Sequence, residues 1–245
     1  MLTAIETVRS DGAALLEIGA KLTDVQWQAP SGCAGWRVQD VVTHMANLFW
    51  MVTDPAKLPD LSGLPTEQAQ EVAVQARRDR SGPEALADYD QARGPALEKL
   101  AELAALDIEV PLGDLGTYPA ALLPVAYSFD HYTHIRADLF SPRGPLTGEP
   151  PDSDGQRTGP VLDWIEAALP QQNPAAVGLC RLRLEVTGAG ARSIGFGSGQ
   201  PSAIISGDVL SLVRWVTQRG SWEELGVRAV GDDAALAAAG TLKVF

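Results

Sequence analysis

The sequence predicts an α+β protein of two domains: a helical bundle over residues 1–150 and a small α+β unit over residues 151–245. Three observations carry this. Apolar residues recur at helical spacing up to about Phe140. Residues 141–160, SPRGPLTGEPPDSDGQRTGP, then hold nine Gly or Pro in twenty. Such a segment sustains neither a helix nor a central strand and reads as a linker. Beyond it, short strand-like segments alternate with short helices.

In the first domain, residues 2–22 place Ile5, Val8, Leu15, Leu16, Ile18 and Leu22 near helical spacing. Residues 36–52 form a second, strongly apolar helix. Residues 53–82 are polar and irregular and read as a loop with a short helix. Residues 83–105 form a third helix, with Pro83 suited to its first turn and Leu86, Leu97, Leu100 and Leu103 as core residues. A fourth helix ends near Phe140. Pro119 and Pro124 can each open it, and a start near 119 with a kink at 124 is expected. Four helices with one long connection predict a bundle.

In the second domain, residues 161–169 predict a short helix. Residues 179–187 alternate apolar and polar, the pattern of a half-buried strand. Further strands are expected at 192–197 and 202–206. Asp208 is a fitting N-cap for a helix over 208–218 with Val209, Leu212, Val213 and Val216 on one face. A strand at 226–230 and an Ala-rich helix complete the unit. There is no internal repeat.

The formal net charge is −12. That argues against nucleic acid or an anionic membrane as partner, since both select a basic face. No run reaches the roughly 18 apolar residues of a membrane helix, and the opening residues lack the pattern of a secretory signal. A cytoplasmic protein is expected, with Cys33 and Cys180 reduced.

The chain has three histidines: His44 within the second predicted helix, and His131 and His134 within the fourth. On an ideal helix Asp130 and His134 lie about 40° apart around the axis, and His131 and His134 about 60° apart. Either pair can converge on His44 from a neighbouring helix, as in metal centres built inside bundles. The competing reading makes Asp130, His131, Arg136 and Asp138 a solvated charged face with i, i+4 pairs. Cys33 reads as a small, part-buried hydrophobe. Trp27, Trp36, Phe49 and Trp50 read as bundle core, with Phe49 or Trp50 able to wall a pocket near His44.

The segment Gly35-Trp36-Arg37-Val38-Gln39-Asp40-Val41-Val42-Thr43-His44 resembles the Gly-Trp-x-Val-x-Asp-Val-Val-x-His stretch of the mycothiol-dependent maleylpyruvate isomerase family, part of the wider DinB-like group of metal-binding four-helix bundles. Phe129-Asp130-His131-Tyr132-Thr133-His134 resembles that family's second metal motif. The resemblance implies a divalent metal, zinc most often and nickel as an option, held by His44, Asp130 and His134, with His131 behind the ligands or exposed. Residues 178–245 resemble the family's sterol-carrier-like second domain. There Trp215-Val216-Thr217-Gln218-Arg219 matches a Trp-Leu-x-Gly-Arg pattern with Gln218 in place of Gly, and makes Arg219 the arginine that serves the active site. Arg181, Arg183 and Arg214 are the alternatives.

Two departures stand out. Asp130 replaces the usual Glu. The family's aspartate three residues beyond the second histidine is Ala137 here, with Asp138 one position later. The implied activity is cis–trans isomerisation or S-transfer on a small electrophilic acid, with mycothiol as the thiol cosubstrate. The alternatives are a non-catalytic metal- and ligand-binding protein, in which a structural metal would have four protein ligands, and a metal-dependent hydrolase.

Overall fold

Residues 3–245 are described by a computed structural model. Thr3 starts the first helix through a capping box: its side chain accepts from the Glu6 amide, and Glu6 accepts from the Thr3 amide. Helix α1 then runs Ala4–Gly19. The predicted helix over 2–22 is therefore shorter, because Thr23 forms a second capping box that opens α2, Asp24–Gln28. Leu2, the first residue of that predicted helix, lies outside the described residues.

Helix α3 covers Val38–Thr53, α4 Thr66–Gln75 and α5 Gly82–Ala104. Ser81 caps α5, and Pro83 occupies its first turn as the sequence suggested. A two-stranded antiparallel ribbon follows, β1 (Glu109–Pro111) against β2 (Thr117–Pro119). This corrects the expected helix start near 119. Pro119 ends a strand, and α6 is Leu123–Thr133 with Pro124 in its first turn, where a missing N–H costs no bond. The axis continues as a π-helical turn, His134–Leu139.

Residues 3–151 form one compact unit and residues 152–245 another. In the first, α1, α3, α5 and α6 make the bundle, with α3 packed on α5 and α1 packed on both α5 and α6. Ala85, Ala92 and Ala96 of α5 share one buried core with Val38, Val42, Met45 and Phe49 of α3. Small side chains on one partner let the two backbones approach closely.

The same core contains a charged clasp. Asp11 of α1 accepts two hydrogen bonds from Arg136 of the π-helical turn, both 2.8 Å. The two side chains are 1% and 0% exposed. The Arg136 guanidinium also lies 4.3 Å from the Tyr132 ring centroid and donates through Nε to the Pro151 carbonyl at 3.2 Å.

In the second unit, α7 spans Gly155–Gln172, longer than the predicted 161–169 because Asp154 caps it early by accepting from the Gln156 and Arg157 amides. Then come α8 (Pro174–Leu179), β3 (Leu182–Thr187), β4 (Ser193–Gly195), β5 (Ala203–Asp208), α9 (Val209–Val216), β6 (Arg228–Gly231) and α10 (Asp233–Ala239). The sheet order is β4-β3-β5-β6. The central β3 and β5 are parallel and the outer pairings antiparallel. Leu182, Leu184 and Val186 alternate inward along β3, as their spacing predicted.

Helix α9 ends in a Schellman turn: Gln218 N–H donates to the Trp215 carbonyl and Arg219 N–H to the Arg214 carbonyl. Gln218 has φ of 58°, the left-handed region where glycine is at ease. Its side chain donates to the Leu242 carbonyl at 2.6 Å, a contact that glycine could not make.

Asp11→Ala would leave the Arg136 charge buried without its partner. A loss of about 3–5 kcal/mol in unfolding free energy is expected, measured by chemical denaturation beside wild type. A loss under 1 kcal/mol would show that the clasp contributes little.

Candidate functional site

Two helices build the site. His44 is in the second turn of α3, with the buried residues Val41 and Met45 on either side. Asp130 lies near the end of α6, and His134 opens the π-helical turn one turn later. The Asp130 carboxylate sits between the two imidazoles: Oδ1 is 3.1 Å from His44 Nε2 and 3.4 Å from His134 Nε2. The rings meet edge to face with centroids 4.8 Å apart. One donor atom from each of the three residues falls within 4.8 Å of the other two.

His131 takes another role. It is fully buried, its Nδ1 lies 2.9 Å from the Tyr127 carbonyl, and its Nε2 lies 3.0 Å from the Tyr89 hydroxyl. A carbonyl only accepts, so Nδ1 carries the proton and Nε2 accepts from Tyr89. Burial pushes this imidazole's pKa down, which suits the neutral tautomer. With both nitrogens engaged, His131 is neither exposed nor free to ligate, and of the two pairs the spacing allowed, Asp130/His134 is the one that converges on His44.

The solvated-face reading also fails, since His131, Arg136 and Asp138 are all 0% exposed. Asp138 is turned inward, and its Oδ2 accepts from His134 Nδ1 at 2.8 Å. That bond fixes a proton on Nδ1 and turns Nε2 toward Asp130, its partner in the metal-free protein. Carboxylate, imidazole and ligand position in a row is the arrangement that orients metal-binding histidines.

Cys33 completes this cluster. Its thiol donates to Asp138 Oδ2 at 3.1 Å and lies 3.6 Å from His134 Nδ1. Neither cysteine is in a disulfide. The reading of Cys33 as a mere small hydrophobe missed this, because 101 residues separate Cys33 from His134. Trp36 departs from the core reading as well. Its ring centroid lies 5.2 Å from that of His44 and 6.5 Å from that of His134, and its indole N–H donates to Glu71. Phe49 stays in the core, where it packs on Tyr89, Tyr127 and His131. Trp27 is core too. Trp50 is buried, with the Lys57 ammonium 3.3 Å from its ring centroid.

Burial alone would raise the Asp130 pKa, but the charges of His134 and His44 and their hydrogen bonds outweigh it and hold it well below the ordinary 3.8. Burial would likewise lower His134. The Asp130 charge, then Cys33 and the bonds to Asp130 and Asp138, outweigh it and hold His134 well above the ordinary 6.5.

The donor set fits a divalent cation. Two imidazoles and one carboxylate are ligands that first-row divalent metals share. Asp130 Oδ2 is a buried atom without a hydrogen-bond partner, in a class of atoms that is ordinarily satisfied. Arg219, the arginine singled out in the second unit, is half-buried, and its guanidinium donates to the Thr217 carbonyl at 3.3 Å.

Bundle and site thus define a helical-bundle protein with a His/Asp/His centre and an appended α+β module. Residues 8–136 match the family model described as the mycothiol maleylpyruvate isomerase N-terminal domain; the chain belongs to that family. Two solved structures share the fold. A mutant of the mycothiol-dependent maleylpyruvate isomerase aligns with a TM-score of 0.61 at 16% identity, over 92% of this chain and 91% of that one. A second structure of the mycothiol-dependent maleylpyruvate isomerase aligns with a TM-score of 0.60 at 16% identity, over 89% of each chain. None of the curated protein sequences compared with the chain matches it significantly. Among the described residues, no helix is long and apolar enough to cross a membrane.

In metal-free protein the Asp130–His134 pair ties stability to pH. Asp130's lowered pKa stabilises the fold above 3.8, and this contribution is lost as pH falls through the folded-state pKa. His134's raised pKa stabilises the fold below 6.5, and this contribution is lost as pH rises through the folded-state pKa. The melting temperature of chelator-treated protein should therefore be highest between those two values and decline above the upper one. In His134→Gln the upper decline should flatten; an unchanged profile would refute the assignment.

Proposed function

We propose that this protein is a metal-dependent enzyme that uses a small thiol, mycothiol in keeping with its family, either to isomerise a small electrophilic acid or to transfer the thiol onto it. The observation that carries the reading is the convergence of His44, Asp130 and His134 on one point, with donor atoms within 4.8 Å of each other. A divalent cation bound there, zinc or nickel by its ligands, would favour the ionised form of a thiol beside it.

The chain's own residues supply the rest. His44 Nε2 and His134 Nε2 offer lone pairs from two helices, and Asp130 offers a carboxylate between them. Asp138 holds the proton on His134 Nδ1 so that the ring cannot turn away. The Trp36 ring shields both imidazoles from one side. Arg219 is assigned to the carboxylate of the acid. A guanidinium can grip a carboxylate in two parallel bonds, which a lysine cannot reproduce.

The number of ligands favours an enzyme over a structural metal protein. A structural site closes itself with four protein ligands, while a catalytic one has three and an open position. The group has three members among the described residues, and both nitrogens of His131 are engaged elsewhere. In the reaction class this supports, a thiol adds to a cis carbon–carbon double bond, the new single bond rotates, and the thiol leaves. In a transferase the thioether remains.

Elemental analysis of purified protein should find at least one divalent ion per chain, about one fewer in His44→Ala, and little in His134→Ala. Asp138→Asn should retain the site but weaken metal binding about 10- to 100-fold. Metal-free wild type after reconstitution would sink this reading. With a small unsaturated acid and mycothiol, Arg219→Lys should raise KM for the acid roughly tenfold, with a smaller effect on kcat. An unaltered KM would remove Arg219 from the site.

A further inference from the structure

We propose that Cys33, His134 and Asp138 form a second cation site on the opposite edge of the imidazole that serves the first. Cys33 Sγ lies 3.1 Å from Asp138 Oδ2 and 3.6 Å from His134 Nδ1. The Nδ1 to Oδ2 distance is 2.8 Å. These donor atoms fall within 4.8 Å of one another, as those of the first group do. The two groups use different atoms of one ring, Nδ1 here and Nε2 there. Cys33 is therefore not a fourth ligand of the first centre, because it stands on the far side of the ring from Asp130.

The cluster is held in place from outside. The Gly32 amide donates to the Asp138 carbonyl at 2.8 Å, and Arg143 Nη2 donates to the Gly32 carbonyl at 2.7 Å. A Cβ on Gly32 would meet Asp138 Cα and Oδ1 at 2.8 Å. Only glycine lets the loop lie this close to the π-helical turn, and that approach presents the next residue's thiol to Asp138. Asp138 is fully buried, while Cys33 and His134 are only partly so, which leaves ions a way in.

Sulfur, imidazole nitrogen and carboxylate oxygen together suit zinc and, more strongly, a softer divalent ion such as cadmium. On binding, the thiol proton and the Nδ1 proton pass to solvent. Bonds form from the cation to Sγ, Nδ1 and Oδ2, and Asp138 changes from hydrogen-bond acceptor to ligand. No electron transfer is involved. With both sites filled, His134 bridges two cations as an imidazolate.

Cadmium titration of metal-free, full-length protein tests this through thiolate-to-cadmium charge-transfer absorption in the ultraviolet. Wild type should bind about two equivalents, one of them raising the band. Cys33→Ser should bind about one and show no band, whereas His44→Ala and Cys180→Ser should both retain it. A wild type without the band, or a band that survives in Cys33→Ser, would overturn the second site. Far-UV circular dichroism and a parallel Cys33→Ala variant guard against misfolding. The first centre is read independently: if His44→Ala binds as many equivalents as wild type, that centre fails while the band still decides this one.

Discussion

Burying charge without a partner is the constraint that organises this molecule. Between residues 130 and 138 the chain places Asp130, His131, His134, Arg136 and Asp138 at or beneath the surface of a bundle. An isolated buried charge costs several kcal/mol even after relaxation. Each of these groups is matched by a partner from a different element. His44 of α3 faces Asp130, Asp11 of α1 clasps Arg136, and Tyr89 of α5 satisfies His131. The loop before α3 lays Cys33 against Asp138. The helices are thus fixed around this segment by polar complementarity as well as by apolar packing, and the site follows from that requirement.

Much of this was legible in the sequence. Apolar patterning located α3 and α5 to within a residue or two, with Pro83 marking the first turn of α5, and the Gly/Pro-rich run marked the passage to the strand-forming half. The His44 motif and the four-residue step from Asp130 to His134 named the three residues that converge. What periodicity could not supply was the sign of burial for charged residues. Arg136 and Asp138 resemble a solvated face until Asp11 and Cys33 are known to lie opposite, and nothing local announces those partners. Cys33 failed for the same reason, since a contact across 101 residues leaves no mark on spacing. The start of α6 was misplaced because either Pro119 or Pro124 suits a first turn. The choice was made by β1, which pairs with residues 117–119.

The π-helical turn accounts for one departure from the family pattern. The resemblance puts an aspartate three residues beyond the second histidine, where this chain has Ala137. In a turn closed by i→i+5 bonds each residue is carried round less far than in an α-helix. The residue four positions on then comes back over His134, and Asp138 reaches Nδ1 at 2.8 Å. π turns are frequent at functional sites because they re-aim one side chain without breaking the helix. A one-residue shift in sequence and a local widening of the helix are two halves of one adjustment.

Charge also limits what the first centre can accept. The protein carries a net −12, so an anionic ligand approaches against the overall field. Its binding must therefore rest on local positive charge. Asp130 contributes one negative charge to the centre, and His44 and His134 contribute none as neutral ligands. A divalent ion among them leaves one positive charge, which a single thiolate would neutralise. A neutral thiol or water would leave that charge unbalanced in a partly buried setting, where charge is costly. Such a centre would be matched to a monoanion, and the carboxylate of an acidic substrate would then need a cation of its own, the role proposed for Arg219. A second cation beside Cys33 would bring its own thiolate and carboxylate, two negative charges against two positive. Loading it exchanges two protons, one from the thiol and one from His134 Nδ1, for one divalent ion, so the total charge does not change; the imidazolate so formed would share its negative charge with the first centre and weaken that centre's demand for an anion.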